Sequence, residues 1–139
     1  MLNLENINDI NLYYTITLKK IAAKFCITFE QAKFLINIPY DGIILSRLSK
    51  HLGIDNSTLT RNINKLNDNH FVLIQKSKLD KRKKVIKLSS LGLETVSELE
   101  KLFFQELKKI KKNLTFDDVL EIKDALEKLN WALSCLSNE

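Results

Sequence analysis

Residues 45–66 read LSRLSKHLGIDNSTLTRNINKL, two short amphipathic segments on either side of a glycine. Gly53 permits a tight turn between two predicted helices, and Ile54 fills the space that the turn leaves between them. The apolar positions recur at helical spacing on both sides of the turn and are predicted to face one core: Leu48, Leu52, Leu59, Ile63 and Leu66. This spacing of apolar anchors around a glycine is typical of a helix-turn-helix.

The chain before this segment is predicted to be helical. A helical stripe within residues 4–25 consists of Ile7, Tyr14, Leu18, Ile21 and Phe25. TFEQ at 28–31 has the capping-box pattern of a second helix. That helix must end near Ile38, because Pro39 disfavours helical geometry in the residue before it. PYDG, at 39–42, is then predicted to be a turn.

The segments after the turn can be bounded from their end signals. The first central helix is predicted at roughly 45–52, and the second from Asn56 to about Asp68 with Asp55 as its cap. FVLIQ and KVIKL, which flank the residues between 76 and 83, are short and rich in branched or aromatic side chains. They are predicted to be two antiparallel strands joined by a charged loop.

The last third of the chain returns to helical spacing. One stripe contains Val96, Leu99, Phe103, Leu107, Ile110 and Leu114. A second stripe contains Val119, Ile122, Leu126, Leu129, Leu133 and Leu136, and Thr115 is predicted to cap the helix that carries it. Together with the N-terminal stripe, these exceed what a small winged domain needs for its own core. They form either an intramolecular bundle or, as we favour, an extensive apolar dimer interface.

The resulting order is α-α-α-α-β-β-α-α. At 139 residues and 45% hydrophobic, the chain is long enough for one domain with a real core. The predicted fold is mainly α with a small β-hairpin wing, a single domain over 1–139. Its winged helix-turn-helix spans about 40–90, and N- and C-terminal dimerisation helices span about 1–25 and 91–139.

Positive charge is concentrated in KSKLDKRKKVIK, residues 76–87. This stretch carries +6, whereas the whole chain has 22 basic and 17 acidic residues and a net charge of +5. The basic residues are Lys76, Lys78, Lys81, Arg82, Lys83, Lys84 and Lys87. Cations on a protruding loop would release counterions from a nucleic acid. The alternative is a solvated loop kept charged for solubility.

The second helix of the helix-turn-helix has a polar outer face. Counting 100° per residue places Ser57, Arg61 and Asn64 opposite the core positions, with Thr60 and Lys65 on the flanks. Arginine can bond guanine in two places, asparagine can read adenine, and hydroxyls can reach phosphate or base edges. A solvated polar face is the alternative, and the neighbouring basic hairpin favours DNA.

Asp80 is the single acid in the basic stretch. Its carboxylate is interpreted as an internal clamp that holds Arg82, or another cation of the wing, in a fixed pose. A long-armed side chain at the loop tip can enter a narrow minor groove, where the potential is most negative. Arg82 is the residue predicted to do so.

Metal and thiol chemistry have little support in the sequence. Cys26 and Cys135 lie 109 positions apart, and neither they nor His51 and His70 have a partner at metal-ligand spacing. Both cysteines are predicted to be buried apolar thiols. No metal or cofactor is expected.

No targeting or membrane segment is evident. No apolar run approaches the roughly 18 residues that span a bilayer. The N-terminal residues MLNLENINDI lack the basic start of a secretory signal. The expected compartment is the cytoplasm, with no membrane partner.

Residues 45–92 together resemble the MarR family of bacterial winged-helix regulators, and weaker similarity covers most of the chain. The family pattern combines a helix ending L-G-hydrophobic, a recognition helix with S-T-hydrophobic-T-R, a D-x-R wing and a later helix with an early glycine. The matching residues are Ser57, Thr58, Thr60 and Arg61 in the recognition helix, Asp80 and Arg82 in the wing, and Gly92 in the later helix. The combination is much more specific than any one piece.

The resemblance implies a homodimer in which the first and last two helices form the interface. The recognition helix, about 56–68, would enter the major groove, and the wing, about 76–84, would reach the minor groove. The partner would be a pseudo-palindromic DNA operator with half-sites roughly 34 Å apart. The expected DNA-binding residues are Ser57, Thr58, Thr60, Arg61, Asn64, Lys65, Lys78, Lys81, Arg82, Lys83 and Lys84.

Regulation in such proteins commonly comes from a small aromatic or anionic effector bound between the dimer helices and the winged domain. Tyr13 and Tyr14 could line such a pocket, although core packing is the favoured interpretation of both. Other members of the family use an oxidisable cysteine.

The chain departs from the family pattern in four places. Asn69 and His70 replace a usual glycine, which is tolerable because both residue types visit left-handed geometry. Asn62 replaces an apolar residue and should be half exposed or hydrogen-bonded. Ile44 replaces a capping Thr or Ser. Cys26 lies before the second helix rather than at the position used by peroxide-sensing members, which argues against thiol sensing.

The sequence therefore predicts a homodimeric, sequence-specific DNA-binding transcriptional regulator. The alternative is a winged-helix protein-interaction module whose basic wing docks on an acidic partner. Enzyme activity is not expected, because no nucleophile–base pattern, phosphate-binding glycine loop or metal cluster is evident in the sequence.

Overall fold

The computed structural model describes residues 3–137. Its helices are α1 Leu4–Ala23, α2 Phe29–Ile36, α3 Leu45–Leu52, α4 Asn56–Asp68, α5 Ser90–Leu107 and α6 Phe116–Ser137, with a 3-10 helix Lys108–Lys112. Its strands are β1 Ile43–Ile44, β2 Val72–Lys76 and β3 Lys84–Leu88. The chain divides into two compact units, the first ending at Phe103 and the second beginning at Phe104.

The N-terminal helices begin at side-chain caps. The capping box of α2 is confirmed, because the amide N–H of Gln31 donates to Thr28 Oγ1 at 3.1 Å and the Thr28 N–H donates to Gln31 Oε1 at 3.0 Å. α2 ends at Ile36, two residues earlier than expected. The turn at 39–42 is also confirmed, since the Gly42 N–H donates to the Pro39 carbonyl at 2.9 Å.

The wing is a three-stranded antiparallel sheet in the order β1-β3-β2. Ile86 lies opposite Ile43 on one side and Ile74 on the other. The sequence predicted only β2 and β3. β2 begins one residue later than expected, because the Phe71 N–H donates to the Leu66 carbonyl of α4 at 2.9 Å. Gly42 has φ +89°, and a Cβ there would lie 2.7 Å from Lys87 Cγ, so glycine permits the close approach of β1 to β3.

One core holds the first unit together. Helices α1 to α5 and strands β2 and β3 contribute buried side chains, among them Leu18, Ile21, Phe34, Leu35, Leu48, Leu59, Ile63, Leu66, Val72, Ile86 and Leu99. The three apolar positions predicted for α4 are therefore confirmed as core.

The second unit contains the end of α5, the 3-10 helix and α6. The stripe predicted to run to Leu114 leaves regular α-helix after Leu107. The next five residues, Lys108–Lys112, form the 3-10 helix. Thr115 caps α6 as expected: its Oγ1 accepts from the Asp118 N–H at 3.1 Å, and its own N–H donates to the Asp118 carboxylate at 2.7 Å. The Thr115 N–H first, and then the Thr115 hydroxyl, lower the pKa of Asp118.

The prediction that both cysteines are buried is wrong. Cys26 follows α1 in a turn with φ +58°, and its side chain is exposed. Cys135 lies on the exposed surface of α6. The apolar character of a thiol gave no information about the turn, whose geometry depends on how α1 and α2 meet.

Candidate nucleic-acid interface

The turn between α3 and α4 has the geometry that its sequence predicts. Gly53 ends α3 with φ +67°, and its N–H donates to the Lys50 carbonyl at 3.2 Å. The next N–H, of Ile54, donates to the Ser49 carbonyl at 3.1 Å, and the Ile54 side chain packs against the core. These bonds satisfy the last carbonyls of α3 and set the direction of α4.

A buried polar link joins the two helices and has no signal in the sequence. Ser49 is only 6% exposed, and its Oγ lies 2.5 Å from Asn56 Oδ1 and 2.9 Å from the Ser46 carbonyl. The hydroxyl has one proton, so it donates to one of these acceptors at a time. In the sequence, Ser49 is one more polar residue of an amphipathic helix. Its role in connecting α3 to α4 is evident only from the position of Asn56 in the structure.

The outer face of α4 is assembled as predicted. Its inner residues are fully buried, whereas Ser57, Arg61, Asn64 and Lys65 are exposed and Thr58 and Thr60 are half-buried. The Arg61 guanidinium has no hydrogen-bond or ion-pair partner within residues 3–137. An arginine held on a rigid helix without an internal partner is free to bond an external acceptor.

Asp55 caps α4 with a denser set of hydrogen bonds than expected. Its Oδ1 accepts from Ser57 Oγ at 2.6 Å and from the Thr58 N–H at 2.7 Å, and its Oδ2 accepts from Thr58 Oγ1 at 3.0 Å. The Ser57 hydroxyl first, then the two Thr58 donors, lower the pKa of Asp55 to about 2.

The sign of the resulting pH dependence follows from this lowered pKa. Because the pKa of Asp55 falls below its ordinary 3.8, the cap stabilises the fold fully above about pH 4. That stabilisation is lost as the pH falls through about 2. The carboxylate is therefore ionised at neutral pH.

Three departures from the family pattern have structural explanations. Asn62 is half-buried, and its Nδ2 donates to the Thr58 carbonyl at 3.0 Å. His70 has φ +66°, so the replacement of glycine uses the left-handed geometry that was predicted. Ile44, the N-cap residue of α3, makes no side-chain capping hydrogen bond.

The loop of the wing, residues 77–83, presents its cations to solvent. Lys78, Lys81, Arg82, Lys83 and Lys84 are all exposed. None of these five side chains makes an ion pair or hydrogen bond with another described residue. The loop is closed at its base by the Ser77 N–H, which donates to the Lys83 carbonyl at 2.9 Å.

Asp80 organises the loop through its backbone. The Asp80 Oδ1 accepts from the Arg82 backbone N–H at 3.0 Å, and the Asp80 carbonyl accepts from the Lys83 N–H at 3.0 Å. The sequence predicted that the Asp80 carboxylate holds a cationic side chain of the wing, whereas in the structure it holds the backbone N–H of Arg82. Among the described residues no ion pair joins Asp80 to a cationic side chain, and its carboxylate shapes the turn that carries Arg82.

The candidate effector residues differ in their surroundings. The ring of Tyr14 packs between Phe29 and Phe103, at centroid distances of 5.9 and 5.7 Å, and burial raises the pKa of Tyr14. Tyr13 is exposed. A groove of about 380 Å³ beside α1 and α2 has neither tyrosine in its lining, which consists of Thr15, Lys19, Ala23, Ile27, Thr28, Phe29 and Glu30.

The described residues offer neither a metal cluster nor a membrane span. Within residues 3–137, no group of three or more His, Cys, Asp or Glu side chains could hold a metal ion. No described helix combines the length and the apolar character needed to cross a membrane.

Comparison with known proteins adds independent information. No family model matches the chain. An HTH-type transcriptional regulator TcaR from Staphylococcus aureus is 25% identical over 134 residues, covering 95% of this chain and 89% of the relative. The crystal structure of wild-type apo MarR from E. coli superposes with a TM-score of 0.81 at 28% identity, covering 93% of this chain and 97% of that one. A mutant MarR from E. coli complexed with operator DNA has a TM-score of 0.72 at 28% identity, with 90% and 91% covered.

A helix-turn-helix followed by a hairpin with unpaired cations defines a winged helix-turn-helix protein. The similarity to the MarR structures spans nearly the full length of both chains, so it includes the helices on both sides of that motif. The chain therefore has the fold of the MarR structures, and its sequence is similar to theirs and to that of TcaR.

Proposed function

We propose that the chain is a DNA-binding transcriptional regulator that acts as a homodimer in the cytoplasm. The observation that carries the proposal is the pairing of α4, whose outer face has an unpartnered Arg61, with a wing whose five exposed cations have no internal partner. The relatives are transcriptional regulators, and one related structure is a complex with operator DNA.

The residues divide by the chemistry they can offer. Arg61 and Asn64 on α4 are proposed base readers in the major groove, because each can make two hydrogen bonds to one base edge. Arg82 is the proposed minor-groove residue. The lysines of the wing are proposed phosphate anchors, since an ammonium group carries charge without base specificity. The combination of a polar outer face on α4 with a basic wing favours DNA over the alternative partner, an acidic protein.

The proposal is tested by equilibrium binding of the purified full chain to duplexes selected from a random pool. The logarithm of affinity should fall linearly with the logarithm of salt concentration, by about 0.9 for each phosphate neutralised. Lys83→Gln should reduce that slope by about 1 and weaken all sequences alike. Arg61→Gln should reduce discrimination between sites, with a loss of roughly 1–3 kcal/mol at one base pair.

Two results would contradict this division. Affinity that stays flat as salt rises would exclude phosphate binding altogether. Uniform weakening by both variants would exclude Arg61 as a base reader. Selection of a palindromic consensus from the pool would support two-fold symmetry of the bound protein.

A further inference from the structure

The hydroxyl groups of Ser57 and Thr58 are both directed at the same carboxylate. Ser57 Oγ lies 2.6 Å from Asp55 Oδ1, and Thr58 Oγ1 lies 3.0 Å from Asp55 Oδ2. An ionised carboxylate has no proton to donate, so each hydroxyl must supply the proton of its bond. Each has only one. Toward solvent, both oxygens therefore act as hydrogen-bond acceptors alone.

The rest of the outer face has a different hydrogen-bonding character. Thr60 has no side-chain hydrogen bond within the described residues, so its hydroxyl can rotate to donate or to accept. Arg61 and Lys65 can only donate. Because Ser57 and Arg61 are four residues apart, they lie on the same side of α4. The face thus changes from acceptors in its first turn to donors in its second.

Acceptors and donors meet different partners on DNA. Phosphate oxygens, guanine N7 and O6, and thymine O4 all accept hydrogen bonds, so an acceptor-only hydroxyl cannot bond them. The amino groups of adenine N6 and cytosine N4 donate in the major groove. Every base pair carries one of these amino groups, and an acceptor therefore distinguishes which strand carries it.

We propose that Asp55 is a positioning residue that fixes Ser57 and Thr58 as acceptors, so that the first turn of α4 selects adenine or cytosine over guanine or thymine on the strand it faces. This inference rests on the proposed function, with α4 in the major groove. It reverses part of the expectation from sequence, because these two hydroxyls are excluded as donors to phosphate. Donation to a charged group also polarises each hydroxyl oxygen, which strengthens it as an acceptor.

Asp55→Asn tests the polarity directly. The amide oxygen can still accept from the Thr58 N–H, which preserves the cap, but the amide NH₂ donates where Oδ2 accepted. The Thr58 hydroxyl then has its proton free for an external acceptor. Duplexes are selected from a random pool by the wild-type chain and by the variant, and affinities are measured on probes that differ at single positions.

The wild-type chain should prefer adenine or cytosine over guanine or thymine by about tenfold at one or two positions in each half-site. In Asp55→Asn the Ser57 hydroxyl can still donate to the amide oxygen, so the preference at the position read by Thr58 should fall to within about threefold or move to guanine or thymine. Preference at the position read by Arg61 should remain. Thr58→Val removes the hydroxyl at nearly constant shape and should lose the same preference without changing the carboxylate.

Asp118→Asn is the matched control, because the Asp118 carboxylate also accepts from the N–H of a threonine, Thr115, at the start of a helix and lies outside the proposed DNA-binding residues. It should leave base preference unchanged. If Asp55→Asn changes affinity for all probes by one factor and leaves preferences intact, Asp55 is only a cap and the inference fails. The inference also fails if the wild-type chain selects a sequence without an adenine or cytosine preference. Absence of any duplex binding by the wild-type chain would instead contradict the proposed function.

Discussion

Gly92, early in α5, lies against the backbone of Phe71. A Cβ at this position would be 2.1 Å from the Phe71 carbonyl oxygen, which also accepts from the Ser89 N–H at 3.0 Å. The Ser89 hydroxyl adds bonds on both sides, donating to the His70 carbonyl at 2.5 Å and accepting from the Gly92 N–H at 3.0 Å. The start of α5 is thereby fixed to the turn that leads from α4 into the wing.

Gly92→Ala is expected to destabilise the fold despite the better helix propensity of alanine. Alanine gains at most about 1 kcal/mol over glycine in a helix. Overlap with a backbone oxygen at this distance forces a shift, and such overpacking costs roughly 1–3 kcal/mol. The melting temperature measured by circular dichroism should therefore fall.

Gly53→Asn provides the comparison, since a Cβ at Gly53 meets no atom within 4 Å and asparagine tolerates φ +67°. That variant should melt close to the wild-type chain. A Gly92→Ala variant that melts at or above the wild-type temperature would show that the tight contact relaxes at no cost.

Residue types were more predictable than their hydrogen-bond partners. Counting along α4 identified Ser57 and Arg61 on the outer face, because helical geometry alone decides which side a residue occupies. It did not identify Asp55 as the acceptor of the Ser57 hydroxyl, which depends on the extended backbone of the cap at φ −74° and ψ 155°. The same holds for Asp80, where the partner is an N–H group and not the expected cation.

At the scale of elements, the wing depends on a short ordered loop between two strands. Seven residues, 77–83, connect β2 to β3, and Leu79 at the tip is fully exposed. Such a loop has no core of its own, so its conformation rests on the bonds at Ser77 and Asp80. We expect the order of this loop to raise the affinity of the wing for DNA. In a disordered loop, binding would have to offset the conformational entropy lost on ordering it.

Two variants of Asp80 separate its hydrogen bond from its charge. Asp80→Asn and Asp80→Ala both remove one negative charge, so both lose the same repulsion from phosphate. Only Asn keeps an oxygen that can accept from the Arg82 N–H. Asp80→Asn should therefore bind duplex DNA about 2- to 10-fold more tightly than Asp80→Ala, given a net value of roughly 0.5–1.5 kcal/mol for one hydrogen bond.

The Lys83 N–H donates to the Asp80 carbonyl. The rate at which this amide proton exchanges with deuterium therefore reports the order of the loop independently of DNA. It should be faster in Asp80→Ala than in Asp80→Asn. Equal affinities and equal exchange rates for the two variants would show that the carboxylate does not shape the wing.

The two helices of the helix-turn-helix were predicted to the residue at the ends marked by Gly53 and Asp55, whereas α2 ended two residues before the position expected from Pro39 and β1 was not predicted. Gly53 and Asp55 mark the ends of α3 and α4, and both bounds agree with the structure. β1 has only two residues, Ile43 and Ile44, and it is a strand because β3 lies beside it some 40 positions later. No local pattern distinguishes two isoleucines in a strand from two in a buried turn.

For the whole molecule, net charge conceals a second cationic segment. Outside residues 76–87 the chain sums to −1, which suggested that positive charge was confined to the wing. The 3-10 helix Lys108–Lys112 nevertheless contains four lysines within five residues. Two of them are engaged locally, Lys108 above the Phe104 ring at 4.9 Å and Lys109 with Glu106 at 2.8 Å. This engagement makes them weaker candidates for DNA binding than the unpaired wing cations.

Large apolar side chains are exposed on the helices of both units. In the first unit α1 exposes Leu4, Ile7, Ile10 and Ile16, and in the second unit α6 exposes Phe116, Leu120, Trp131 and Leu136. Of these eight side chains, only Ile7 and Leu136 belong to the helical stripes identified in the sequence, so most of the exposed apolar surface lies beside those stripes. A second copy of the chain is the occupant that the proposed dimer requires.

Ile10→Lys is expected to weaken that dimer. The wild-type chain should sediment at twice the 16.1 kDa of one chain. Burial of an isoleucine contributes roughly 1.5–3 kcal/mol, and each copy loses it, so the dissociation constant should rise at least tenfold. Affinity for a two-half-site duplex should fall with it, because a monomer contacts one half-site.

Tyr40→Lys is the control for the dimer measurement, since Tyr40 is 83% exposed in the turn at 39–42, outside the helical faces. Sedimentation of this variant should match that of the wild-type chain. A wild-type chain that sediments at 16.1 kDa even with operator-length DNA would exclude the dimer. A stable dimer in Ile10→Lys would instead exclude only this part of α1 from the interface and leave the exposed face of α6 as the surface to be tested next.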